Sequence, residues 1–356
     1  MFARRALLFE GRSSWGAGNV RRKDWGAADD IGLQGRRQIG KGVSLATTTI
    51  PLSQNGSFAI VSSELRKLVA NLRDGNSFSS PAIEDIRAGW ERFAGTLVPA
   101  SDIVFELASA NGVEVEWTTA PAADPGRVIL YFHGGGYTVG TVASYRNFLG
   151  RLSRGTQSRG LSVGYRLAPE NPFPAALDDA LASYDWLIGQ GISPKRIIFA
   201  GDSAGGGLAC ALSIANRDRG GPAPAAVIAI SPSTDLAKTG ASIHERAHLD
   251  PLVNYESSMA HALRYVGSKE HLKNPLASPL YSELHGLPQL LVMIGTHDAL
   301  YDDSTRYAAK AEAAGVKVTL DIWEEMIHIW PFFAELIPEG REAIEKIGAW
   351  VKTNVP

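Results

Sequence analysis

Cysteine is almost missing from this chain: Cys210 is the only one in 356 residues. An intrachain disulfide is therefore excluded, and the sequence is compatible with a reducing, cytoplasmic setting. Excess charge is missing too. A formal net charge of −2 gives no reason to expect nucleic acid or a membrane surface as the main partner. Long apolar runs are absent, so neither a spanning helix nor a stably inserted segment is expected. In the first 56 residues the longest such run is Ala6-Leu7-Leu8-Phe9, shorter than the h-region of a secretory signal. A mitochondrial-type leader would be arginine-rich, as this region is, but Asp24, Asp29 and Asp30 argue against it. Residues 1–56 read as an extension that is disordered or loosely attached, with the natural start of the protein placed downstream of Met1 as a further hypothesis.

What is present is a core. The apolar fraction of 45% suits a globular protein with one large α/β domain or two small ones. Leu65, Leu68, Val69 and Leu72, then Ile83, Ile86, Trp90 and Phe93, recur at helical spacing. They predict two helices within 57–100, either packing helices or a lid over a pocket. Strand patterns at 103–109 and 113–119 flank Asn111-Gly112, a hairpin turn signal. The run 127–132 is almost continuously apolar, as in a strand buried on both faces. From there strands at 161–165, 196–200, 225–230, 289–294 and 316–322 alternate with helices near 143–154, 176–189, 204–218, 303–314 and 340–353. Such alternation predicts βαβ crossovers and a mostly parallel sheet of eight strands with helices on both faces. The catalytic domain is expected over 101–235 and 288–356. The interval 236–287 breaks the alternation and is expected to be a cap insertion, with helical pieces such as Tyr255–Val266.

The chain is organised around Arg196-Ile-Ile-Phe-Ala-Gly-Asp-Ser-Ala-Gly-Gly-Gly-Leu208. An apolar strand runs into Gly201-Asp-Ser-Ala-Gly205 and then into small residues that open a helix. In a nucleophile elbow the serine sits on a sharp strand-to-helix turn, with glycines two before and two after it to let backbones pass. Ser203 is the candidate nucleophile. G-x-S-x-G alone is a weak signal, so its weight comes from context. His133-Gly134-Gly135-Gly136 directly follows strand 127–132 and leaves backbone amides uncovered, as an oxyanion hole requires. The expected donors are Gly134, Gly135 and Ala204. A phosphate cradle is disfavoured, because the loop has neither a Walker lysine nor G-x-G-x-x-G spacing.

Chain order in this kind of fold is serine, acid, histidine. His328 is the only histidine after residue 298, and it follows the last strand. Asp298 follows strand 289–294 and is the expected acid, with Asp302 in reserve. Asp202 is assigned a structural role, bonding the neighbouring loop. Tyr165–Ala175 reads as a rigid link in which Arg166 and Glu170 pair with nearby groups, and Cys210 as a small buried filler.

Taken together, His133–Gly136, Gly201–Gly205, the 165–175 link, Asp298–Asp303 and His328 resemble the hormone-sensitive-lipase family of α/β-hydrolases, in its bacterial carboxylesterase branch. The resemblance runs from about residue 60 to the end. It implies an α/β-hydrolase core, a cap made of the N-terminal helices and the insertion before the acid, and hydrolysis of short- to medium-chain acyl esters. No cofactor and no metal are implied, and the partner is a small-molecule ester. A homodimer through the edge strand or the C-terminal helix follows from the same analogy. Gly164 departs from the pattern where an Asp often precedes the Tyr-Arg-Leu-Ala-Pro-Glu run. The same triad serves amidases and thioesterases, which stay open as alternatives. Plant gibberellin receptors share the fold without the catalytic histidine, so His328 argues against a purely ligand-binding role.

Overall fold

The computed structural model describes residues 61–74 and 82–356. The expected N-terminal extension lies outside the described residues. The strands are β1 (Val104–Ala110), β2 (Val113–Thr119), β3 (Asp124–Phe132), β4 (Ser158–Val163), β5 (Ile197–Asp202), β6 (Ala226–Ile230), β7 (Leu290–Gly295) and β8 (Val318–Trp323). They form one eight-stranded sheet in the order β1-β2-β4-β3-β5-β6-β7-β8. β1 and β2 are an antiparallel hairpin, β2 is antiparallel to β4, and every other pairing is parallel. At the hairpin turn Asn111 and Gly112 have φ of 52° and 92°, the left-handed pair that an Asn-Gly turn supplies.

The helices are α1 (Ser63–Asp74), α2 (Ile83–Ala94), α3 (Arg146–Thr156), α4 (Ala175–Gly189), α5 (Ala204–Asp218), α6 (Ser242–Glu245), α7 (Tyr255–Val266), α8 (Tyr301–Ala313) and α9 (Pro338–Asn354). Because side chains alternate across a strand, each central strand feeds both faces. Val128, Leu130, Phe132, Ile197 and Phe199 pack in the layer that holds α4, α5 and α8. Ile129, Tyr131, Ile198 and Ala200 pack in the layer that holds α3 and α9. The apolar faces of α1 and α2 join this second layer through Leu65, Leu68, Ile86 and Trp90.

β4 differs from expectation. Its apolar half, Leu161–Val163, is legible in the sequence, but the strand begins at Ser158 and ends before Gly164. The polar start is held by parallel pairing with β3, where Arg159 stands opposite Val128, and by the Arg159 guanidinium lying 3.8 Å over the Trp117 ring. At its end Gly164 donates to the Glu114 carbonyl, and Tyr165 leaves the sheet to stack on His133 at 4.3 Å. Among the described residues no helix is long and apolar enough to cross a membrane.

Candidate active site

Ser203 stands between β5 and α5 with φ 52° and ψ −120°, a conformation costly for any residue with a Cβ. Its backbone is pinned from both sides. The Ser203 N–H donates to the Ile230 carbonyl at 2.9 Å, and its carbonyl accepts from Gly207 at 3.1 Å and Ser233 at 2.9 Å. The flanking glycines are steric requirements. A Cβ on Gly201 would meet the Phe132 carbonyl at 2.6 Å and the backbone of Gly205, and one on Gly205 would meet the carbonyls of Phe132 and His133. The nucleophile turn and the end of β3 therefore touch backbone to backbone.

The loops after β7 and β8 bring the acid and base together. Thr296 donates to the Trp323 carbonyl at 2.8 Å and His297 to that of Met326 at 3.1 Å. Ile329 donates to Ser231 Oγ at 3.1 Å, which ties the histidine loop to the end of β6. His328 Nδ1 lies 3.1 Å and 3.0 Å from the two Asp298 carboxylate oxygens. Both side chains are buried. An ionised carboxylate only accepts, so Nδ1 carries the proton and Nε2 is left with its lone pair. Burial alone pulls the His328 pKa down, but the charge and hydrogen bond of Asp298, with help from Asp250 and Asp202, turn the net shift upward. Ser203 and His328 line one cavity of about 630 Å³. No hydrogen bond joins the serine hydroxyl to the ring here, and such contacts often tighten only when substrate is bound. Asp302 is directed elsewhere, accepting from the Ser242 N–H at 3.0 Å.

The glycine loop corrects one expectation. Gly134 is not placed to be an oxyanion donor, because its N–H is already donated to Tyr145 Oη and Asp202 Oδ1, both at 3.0 Å. Asp202 also accepts from Tyr131 Oη at 2.6 Å and Tyr145 Oη at 2.9 Å. Burial pushes this carboxyl up to about 6 against the pull of those donors. Its role is to hold the loop, as expected. The loop then turns outward at Gly135 (φ 104°) and Gly136 (φ 63°), which line the cavity beside Ser203 and Ala204. Among the described residues no acceptor takes the N–H of Gly135 or Gly136. Gly135, Gly136 and Ala204 at the start of α5 are thus cavity-wall residues whose backbone N–H groups have no acceptor among the described residues. His133 faces away, with Nδ1 against the Gly134 carbonyl at 2.8 Å, and burial brings its pKa down to about 4.

Asp250 is a buried carboxylate beside the candidate acid that the sequence does not mark. Its carboxylate accepts from Ala299 N–H at 2.9 Å, next to the candidate acid, and from Leu252 and Val253 N–H at 2.9 and 3.2 Å. It thereby ties the acid loop to the insertion between β6 and β7, whose residues 251–254 line the cavity. Burial and the Asp298 charge push it up to about 7. Nothing in the local sequence separates it from other loop acids, because its partners include a backbone amide on a distant loop. Asp250, Asp298 and His328 form the one group among the described residues with ligand atoms close enough to share a metal ion, within 4.8 Å. Their atoms are already committed: Nδ1 to Asp298, Asp298 Oδ1 also to the Leu300 N–H at 2.7 Å, and Asp250 to three amides. This set is arranged to hold a proton rather than a cation.

Both segments expected to form a cap contribute residues to the cavity wall. Ile86 and Trp90 of α2 line it, and α2 is clamped by Arg87, which donates to the carbonyls of Thr138 at 2.8 Å and Ala168 at 3.0 Å and pairs with Glu170. From the insertion, α7 docks through Tyr265, whose ring stacks on Tyr137 at 3.7 Å. In the 165–175 link Arg166 holds Asp179 of α4 at 2.8 Å. Cys210 is a buried filler whose thiol burial pushes up to about 12.

Comparisons agree with this architecture. Residues 129–332 match a sequence family described by its alpha/beta hydrolase fold. An acetyl-hydrolase of Streptomyces hygroscopicus is 41% identical over 74% of this chain and 86% of its own length. An esterase of Acinetobacter venetianus is 35% identical over 68% of this chain and 78% of its own. The crystal structure of an esterase from the bacterial hormone-sensitive lipase family superposes with a TM-score of 0.81 at 41% identity, covering 83% of this chain and 99% of that one. EstE5, solved after soaking with p-nitrophenyl butyrate, gives 0.79 at 41% identity, over 82% and 99%. With these matches in sequence and in fold, this chain belongs to the hormone-sensitive-lipase family of α/β-hydrolases.

Proposed function

We propose that this protein, a carboxylic ester hydrolase, cleaves short- to medium-chain acyl esters through Ser203, His328 and Asp298. The observation that carries the reading is the buried His328–Asp298 pair, 3.0 Å apart, opening on the same cavity as the strained Ser203. His328 Nε2 takes the proton of Ser203 Oγ as that oxygen attacks the ester carbonyl. The N–H groups of Gly135, Gly136 and Ala204 receive the developing oxyanion. His328 returns the proton to the departing alcohol, and a water activated by the same nitrogen then releases the acyl group. A cavity of about 630 Å³, with Ile86, Trp90, Val139 and Leu252 in its wall, suits an acyl chain of modest length.

The test is hydrolysis of p-nitrophenyl esters from acetyl to palmitoyl by the wild type and Ser203→Ala. Turnover of the short esters that collapses in the variant is expected. An optimum at palmitoyl would refute the chain-length assignment, and full activity in Ser203→Ala would remove the nucleophile.

A further inference from the structure

Lys238 is a charge in the cavity wall for which the hydrolytic chemistry has no use. It lies in the loop between β6 and α6 at φ 51°, and its side chain is only 2% exposed although the residue lines the cavity holding Ser203. Nζ donates to Ser233 Oγ at 3.0 Å, and Ser233 in turn donates its backbone N–H to the Ser203 carbonyl. The ammonium is thus one residue removed from the nucleophile. Its counter-charges, Asp303 and Asp235, accept no hydrogen bond from it. Asp303 Oδ2 is 3.7 Å from Nζ, beyond hydrogen-bond length, and already accepts from the N–H groups of Thr234 and Asp235 at 3.0 and 2.9 Å. An ammonium has three donors, and only one of these has an acceptor among the described residues.

The surroundings favour an anion. Burying an ammonium is costly unless it is paired, and Coulomb attraction is strong in a site screened from water. His261 of α7 also lines the wall, with Nδ1 on Thr138 Oγ1 at 2.6 Å. Burial, Arg264 and Lys238 hold it near a pKa of 4, so it stays neutral and can serve as a further polar contact. Among the described residues Glu256 on α7 is the one carboxylate in the cavity wall. The lining from α2, Ile86 and Trp90, is apolar. Among the described residues the cavity wall therefore carries two basic side chains, Lys238 and Arg264, against the one carboxylate of Glu256, beside apolar residues such as Ile86 and Trp90.

We propose that Lys238 is a specificity-determining residue that binds a carboxylate carried by the substrate, so that the preferred substrates are hemiesters with the charge on the acyl or the alcohol half. This rests on the serine-esterase reading above. The reaction itself is unchanged: the acyl–oxygen bond breaks, water adds, and the second carboxylate passes through untouched.

The test compares esters in matched pairs, with uncatalysed rates subtracted. Mono-4-nitrophenyl glutarate against 4-nitrophenyl pentanoate places the charge on the acyl half, and 4-acetoxybenzoate against its methyl ester places it on the alcohol half. The wild type is expected to favour the carboxylate member of one pair in kcat/KM, mainly through KM. Lys238→Met should lower that ratio at least tenfold, and Lys238→Arg should restore most of it. A ratio unchanged in Lys238→Met, or a wild type that prefers the neutral ester in both pairs, overturns the inference while leaving the esterase reading intact. If no ester is turned over, the esterase reading itself falls. Calorimetric binding of mono-4-nitrophenyl glutarate to Ser203→Ala, with and without Lys238→Met, then decides the role of the lysine: binding that Lys238→Met abolishes supports it, and equal or absent binding overturns it.

Discussion

Replacing Asp298 by Asn tests the geometry of the pair in a way that removal of the side chain does not. Asn is nearly isosteric, so packing around a fully buried site is kept. The outcome turns on the Leu300 N–H, which donates to Asp298 Oδ1 at 2.7 Å. That donor selects the carbonyl oxygen of the amide and leaves the amide NH2 facing His328 Nδ1. A donor cannot face a donor, so the imidazole must move its proton to Nε2, where it no longer accepts from Ser203. Loss of the acid's charge also removes the largest contribution that raises the His328 pKa. In a serine protease the corresponding change costs about 10⁴ in kcat, which corresponds to about 5.4 kcal/mol of barrier. We expect a loss of that order in kcat on p-nitrophenyl butyrate, with KM little altered and a melting temperature close to the wild type. Activity within tenfold of the wild type in a folded Asp298→Asn protein would refute the assignment of Asp298 as the partner that fixes the tautomer.

Four further outcomes follow from the same geometry. The base must be neutral to work, and the His328 pKa is raised above 6.5, so kcat/KM should fall as pH drops through a midpoint above 6.5. Asp250→Asn should move that midpoint down, because Asp250 contributes to the raised pKa, and a pH–rate profile in which both proteins share one midpoint would contradict this. Gly205→Ala drives a methyl group into the carbonyls of Phe132 and His133, where no flexible side chain can give way, and should cost about 3 kcal/mol or more in a urea melt, with loss of activity. Trp90→Ala removes a ring stacked on Phe332 at 5.4 Å and should cost about 3–5 kcal/mol while shifting the ester optimum toward longer chains, read from melting curves and the same ester series.

The parts of the site written in contiguous residues are legible in the sequence itself. Gly201-Asp-Ser-Ala-Gly205 dictates its own turn, since only glycine fits against the end of β3 on both sides of Ser203. The order of Asp298 and His328 after successive strands singles them out, because parallel strands deliver their following loops to one edge of the sheet. The hairpin at Asn111-Gly112 and helix α7 are likewise readable from local pattern. The start of β4 is not, because Ser158 and Arg159 are held in the sheet by β3 and by the Trp117 ring rather than by their own apolarity.

Sequence alone determined which residues are available for acyl chemistry and in what order the fold presents them, because turn sterics and strand patterning act over a few residues. Tertiary structure decided how each is aimed. Three consecutive glycines look alike in one dimension, yet Tyr145 and Asp202, from other segments of the chain, claim the Gly134 amide and leave Gly135 and Gly136 facing the cavity. Asp250 becomes a partner of the acid loop, and Lys238 a buried charge beside the nucleophile, only when folding brings separate segments together. Hydrogen-bond direction and burial depend on neighbours in space, and for these residues the neighbours come from separate parts of the chain.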